Sequence, residues 1–130
     1  MRDAHQVLKK IFDPALNALR VTGGAVAFDT IVSSGGNATI DLNTGANFYI
    51  LLTENTTIDF TNTVDGKKFM VVVKQDGGGA NTLAWTDTVW WENGTEPAVT
   101  PAGDAVDVFT FVYAAPLAVF LGSAIQNFQV

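Results

Sequence analysis

Without cysteine, any chemistry in this chain has to come from carboxylates, one histidine, hydroxyls and aromatic rings. Asp41, Asp59, Asp87, Glu92, Glu96, Asp104 and Asp107 are the acids to weigh, because two carboxylates facing across a groove could hydrolyse a glycosidic bond. Asp41 and Asp59 alternate with Ile40, Leu42, Ile58 and Phe60, which places both acids on the outward side of strands, where solvated carboxylates belong. His5 stands alone near the start of the chain. With no second histidine and no thiolate, zinc and the soft metals are excluded. A Ser-His-Asp triad would need His5 beside Ser33, Ser34 or Ser123, all in plain turn or strand contexts. The loops "DGGGAN" and "PAGDAVD" carry oxygen ligands of the kind calcium takes, without the spacing of any known calcium loop. "DGGGANT" also lacks the lysine and the strand-to-helix setting of a phosphate loop, so its glycines are read as a tight connection after a long strand. The expectation is a protein with no catalytic, cofactor-binding or metal-binding residues: not an enzyme.

Trp90 and Trp91, in "TVWWENGTEP", raise a different kind of chemistry. Neighbours on an extended strand point to opposite sides, so one can enter a core and the other cannot. Trp91 shares its parity with Trp85 if the strand runs on without a bulge. The expectation is one ring in the core and the other at a loop edge or subunit seam. The alternative is a carbohydrate-binding, host-recognition module, with an exposed indole stacking on a sugar beside Glu92 and Asn93.

The elements that must position these groups come from the hydropathy pattern. Asp3 and Gln6 make a capping box, and Val7, Leu8, Ile11 and Phe12 then fall on one side of an amphipathic helix that Pro14 ends. A helix of about three turns is unstable alone in water, so it is expected to dock. From Gly23 onward, short alternating runs separated by turn formers predict an all-β chain: "ATIDL", "NFYILLT", "TTIDF", "FMVVVKQ", "AVDVFTFVY" and "LAVFLGSA". "NFYILLT" is apolar on both faces, as a central strand of a two-layer stack should be. The expected architecture is an antiparallel, jelly-roll-like β-sandwich over residues 22–130, preceded by a docking helix and arm over 1–21. Residues 105–125 are long and apolar enough to cross a bilayer, but Pro116, Gly122 and the β-branched runs fit two buried strands and a turn better. No membrane association is expected.

Charge and composition narrow the partners. The formal charge of −6 argues against nucleic acid, whose phosphates need a basic footprint. Only 15% of residues are charged while 48% are hydrophobic, too apolar for a small monomer, so the excess is expected to be buried between subunits. Lys9, Lys10 and Asp13 interrupt any export signal at the N-terminus.

The runs "TIDL…FYILLTENTTIDF", "GKKFMVVVKQDG", "WENGTEP" and "DVFTFVY", spread over residues 35–128, resemble a β-sandwich module of tailed-bacteriophage virion structural proteins, found in tail fibres and in capsid cement or decoration proteins. Here "AAP" stands where such modules usually carry a glycine-rich turn. The resemblance implies a homotrimer that binds major capsid or tail proteins of the same virion, assembled in the host cytoplasm, with a host-surface glycan as the further partner on the alternative reading. The residues expected at partner or oligomer contacts are Val7, Leu8, Ile11, Phe12, Trp90 and Trp91.

Overall fold

The structure, a computed structural model, describes residues 26–130. The expected helix with Val7, Leu8, Ile11 and Phe12 and the residue His5 lie outside the described residues. Nine strands follow in order: β1 Asp29–Ile31, β2 Asn37–Asp41, β3 Asn47–Leu52, β4 Thr56–Thr61, β5 Lys68–Gln75, β6 Leu83–Trp85, β7 Val89–Trp91, β8 Val106–Ala114 and β9 Val119–Phe128. The all-β expectation holds for the described residues. The stretch at 105–125 is two strands joined by a single turn of 3-10 helix at Ala115–Leu117. No helix among the described residues is long and apolar enough to cross a membrane.

The strand directions correct the sequence-based expectation of an antiparallel fold. One sheet has the order β1-β3-β5-β8-β9-β7 and the other β2-β4-β6. Successive strands from β1 to β7 alternate between the sheets, so each strand returns parallel to the one before it in its own sheet. In the large sheet only β8 runs against its neighbours, antiparallel to both β5 and β9. The physical reason is loop reach. Stacked sheets lie about 10 Å apart, and three extended residues span about that distance. A connection as short as residues 53–55 can therefore cross between layers as readily as it can close a hairpin, and alternation within a strand is blind to the choice.

The two sheets share one core. Ile40, Leu42, Ile58 and Phe60 of the small sheet meet Phe48, Ile50, Val71, Val73, Phe109 and Phe111 of the large one. Phe60 is the meeting point. Its ring centroid lies 5.0 Å from Phe69, 5.2 Å from Phe111 and 4.9 Å from Phe120.

Two polar side chains are fully buried at one end of this core, and both are satisfied. Gln75 donates to the carbonyls of Asn81 and Thr100 and accepts from the backbone N–H and side-chain amide of Asn81. Asp107 accepts four hydrogen bonds: from the Thr100 N–H at 2.7 Å, the Thr100 hydroxyl at 2.8 Å, the Asn127 N–H at 2.9 Å and the Gln126 amide at 3.0 Å. Together they tie the long 92–105 segment to β5, β8 and β9. The glycine loop also belongs to this tie. A Cβ on Gly79, whose φ is +62°, would sit 2.4 Å from the Pro101 carbonyl, and one on Gly103 would sit 2.4 Å from that of Gly77. Gly79 of "DGGGANT" and Gly103 opposite let two backbones touch.

Removing the Asp107 acceptors should therefore loosen the whole segment. Asp107→Ala strands buried donors and is expected to cost about 2–4 kcal/mol of unfolding free energy. Asp107→Asn keeps one accepting oxygen but turns an amide onto other donors, and is expected to fall in the same range. Urea unfolding of both variants, read as a lowered midpoint at unchanged slope, checks this.

Candidate partner-binding surface

The tryptophan pair is split as the strand geometry requires. Trp91 packs inward with its ring 5.9 Å from Trp85, 6.1 Å from Phe109 and 5.7 Å from Phe111. Its ring rests against Gly122, where a Cβ would come within 2.9 Å of the indole. Only glycine leaves room for it. Trp91 thus packs against the core while one edge reaches the surface, and Trp90 is the more exposed of the pair. Trp90 projects from the outer side of β7, 53% exposed, over a shallow cleft that it shares with Glu92, Leu121 and Ser123.

Trp90 is one end of a larger feature that sequence reasoning missed. On the outer face of the six-stranded sheet the register sets Tyr49, Val72, Val108 and Ile125 side by side across four strands. A second row runs from Val112 through Leu121 to Trp90. Leu121 and Ile125 are 37% and 66% exposed, with nothing packed over them among the described residues. Between the rows the hydroxyls of Thr110 and Ser123 hydrogen-bond each other at 2.9 Å. A cavity of about 450 Å³ opens on this face, floored by Met70, Thr110 and Val112. The signal was present in the sequence. "NFYILL", "KFMVVVKQ" and "DVFTFVY" are apolar at both parities, and the expectation that a two-layer stack accounts for such a strand fails, because the second parity has no layer left to cover it.

The small sheet is different. Its outer face carries Asn37, Thr39, Asp41, Thr57, Asp59 and Thr61, the solvated pattern expected for Asp41 and Asp59. The Asn62 amide at 2.8 Å and the Asn43 N–H at 2.9 Å hold the Asp41 carboxyl below the usual carboxylate range. Among the remaining acids, Asp104 pairs with Lys74 at 2.8 Å and raises that lysine's pKa, while Glu92 and Glu96 are exposed on the turn after β7. Asp59 and Asp87 come nearest to a carboxylate pair, but Asp87 Oδ2 is occupied by the Phe60 N–H at 2.8 Å, and neither acid lines the cleft at Trp90 or the cavity on the large sheet. No three His, Asp or Glu side chains gather as a metal-binding group among the described residues. In the glycine loop the Gly79 N–H is taken by Asp76 and the Ala80 N–H by the Pro101 carbonyl.

Compared with family models, with curated proteins and with solved structures, the chain matches none.

Asp87 gives the pH dependence a sign. Burial pushes its carboxyl above the usual range, the charge of Asp59 adds to the rise, and the Phe60 N–H opposes it. The folded protein then binds more protons than the unfolded chain between the unfolded and folded pKa values of Asp87. Stability from this group falls as pH rises through that window. Asp87→Asn keeps an oxygen for the Phe60 N–H and carries no charge. Its melting temperature is expected to exceed that of the wild type at about pH 7 and to match it at about pH 3, where the wild-type carboxyl is protonated too. Thermal melts of both proteins at the two pH values check the sign.

Proposed function

We propose that this chain is a non-enzymatic structural protein of a tailed-bacteriophage virion: a trimeric β-sandwich subunit of the capsid cement or decoration kind, or a small tail-fibre or tail-adaptor protein. It works by covering and bridging other virion proteins. The observation that carries this reading is the apolar outer face of the six-stranded sheet, in a chain where only 15% of residues are charged. The packing of two sheets over one core supports the sandwich reading, and the resemblance over residues 35–128 supports the virion setting. Attachment needs little per copy. A contact of about 1,600 Å² in total is a standard specific interface, and repetition over many symmetric copies multiplies weak single contacts.

On this reading Val7, Leu8, Ile11 and Phe12 dock the subunit on a major capsid or tail protein. A chain lacking residues 1–13 should keep the wild-type melting temperature and no longer co-sediment with virions stripped of the native protein. Truncated protein that co-sediments at wild-type affinity overturns the docking role of the segment.

A second reading, a carbohydrate-binding host-recognition module, is favoured by one observation: the half-exposed Trp90 beside Glu92 and Ser123. It requires Trp90→Ala to abolish binding to host-surface glycan at unchanged melting temperature and unchanged mass in solution. Retained glycan binding by this variant, or no binding by the wild type, excludes it.

A further inference from the structure

We infer that the outer face of the six-stranded sheet is covered by a second copy of this chain, through the rows Tyr49–Val72–Val108–Ile125 and Val112–Leu121–Trp90. The inference rests on the oligomeric reading above and names the surface that reading needs.

Charge selects the occupant. Residues 26–130 hold three lysines against eleven carboxylates, a net of −8. None of those carboxylates occupies an outward position of the six-stranded sheet, while Lys68 and Lys74, two of the three lysines, do. Two copies that meet through this face bring acids together only at its rim, where Asp104 is already paired with Lys74 and Glu92 stands beside Trp90. Copies meeting through the small sheet would set Asp41 and Asp59 against their own counterparts, a like-charge contact that costs stability. The same distribution disfavours the N-terminal segment as occupant. Residues 1–25 carry Arg2, Lys9, Lys10 and Arg20 against Asp3 and Asp13, a net of +2, and the outward strand positions of this face offer them no carboxylate, only Lys68 and the Lys74 that Asp104 already pairs.

Size points the same way. Six strands about 4.8 Å apart make a face about 24 Å across, and the eight residues of β5 run about 26 Å, for about 600 Å² of projected area. A standard interface takes about 800 Å² of accessible surface from each partner, which a relief of side chains on that footprint supplies. The three-turn helix that the sequence predicts is about 16 Å long and about 10 Å wide, and would leave most of the face bare.

The face is also ready for burial. Its central hydroxyls, on Thr110 and Ser123, already satisfy each other. Its two lysines stand at opposite ends of β5: Lys68, in register with Val112, can turn its ammonium group outward past the end of the strand, and Lys74 is paired with Asp104. Trp90 supplies a large aromatic anchor on one edge and Tyr49 another on the far side, the residue types that dominate interface energetics. In a two-fold contact the face lies on itself. In a ring, the Trp90 side of one copy lies on the Tyr49 side of the next.

The test uses the full chain. Sedimentation at micromolar concentration should show the wild type as an oligomer. Val108→Lys and Thr110→Arg should each lower the mass about two- to three-fold, to that of the 13.8 kDa chain, with a cooperative melt retained. Thr39→Lys, on the small sheet's outer face, should leave the mass unchanged. Because the chain has no cysteine, Ser123→Cys gives a second readout that does not depend on a disruptive charge. A short bis-maleimide should link copies of Ser123→Cys and leave Thr39→Cys unlinked. A wild-type oligomer that persists in both charged variants, or Ser123→Cys that does not link, overturns the face and leaves the virion-subunit reading standing. A wild-type monomer also overturns the face. Whether that monomer co-sediments with virions then decides the functional reading separately.

Discussion

The contact of Phe60 with the large sheet is what the rest of the structure depends on. Phe60 is the last inward residue of β4, the middle strand of the small sheet, and its ring meets Phe69 of β5, Phe111 of β8 and Phe120 of β9. One side chain thereby touches three adjacent strands of the opposing layer, including the one strand that runs backwards. Burying a phenylalanine is worth about 1.5–3 kcal/mol, and each well-set aromatic pair adds about 0.5–1.5. The ion pair of Lys74 and Asp104, with the aspartate side chain 70% exposed, belongs to a class worth about 0–1 kcal/mol. Packing decides this fold and surface charge does not.

Around that contact the chain solves a topological problem. A parallel strand cannot follow its neighbour through a tight hairpin and needs a crossover. Here the crossover is a strand of the other sheet, so each crossing also supplies the layer that buries the strand it connects. Only after β7 does the chain turn to antiparallel pairing, and the hairpin of β8 and β9 then fills the gap between β5 and β7. Filling that gap demands the glycine at position 122, because Trp91 comes from the neighbouring strand and rests on it. The segment between β7 and β8 is held down by Asp107 and Gln75, which explains two fully buried polar residues in an otherwise apolar interior.

The consequence for function is an unequal pair of outer faces. The small sheet turns threonine, asparagine and aspartate to water, and the large sheet turns valine, leucine, isoleucine and tryptophan outward without a carboxylate among them. A two-layer fold has one interior, and a strand apolar at both parities has one side more than that interior can use. The proposed role as a covering and bridging subunit follows from this surplus. So does the division of labour between the tryptophans, with Trp91 serving the core and Trp90 the surface.

Much of this was legible in the residues themselves. Period-two alternation gave Ile40, Leu42, Ile58 and Phe60 as inward and Asp41 and Asp59 as outward, because strand geometry alone sets side-chain direction. The same rule separated Trp90 from Trp91. It did not join Trp91 to Trp85, since no single strand runs from one to the other: Trp85 stands on β6 of the small sheet and Trp91 on β7 of the large one, and they meet across the core. The absence of cysteine excluded any thiolate chemistry before a structure was needed. Strand direction was not legible, since a loop that crosses a layer and a loop that closes a hairpin have similar lengths and similar turn formers. Nor was the site. Tyr49, Val72, Val108 and Ile125 lie on four strands far apart in sequence, and only the register of the six-stranded sheet makes them one surface. Side-chain direction is a local property of the backbone and the sequence carries it. Adjacency between strands is a property of how the whole chain packs, and the tertiary structure alone decides it.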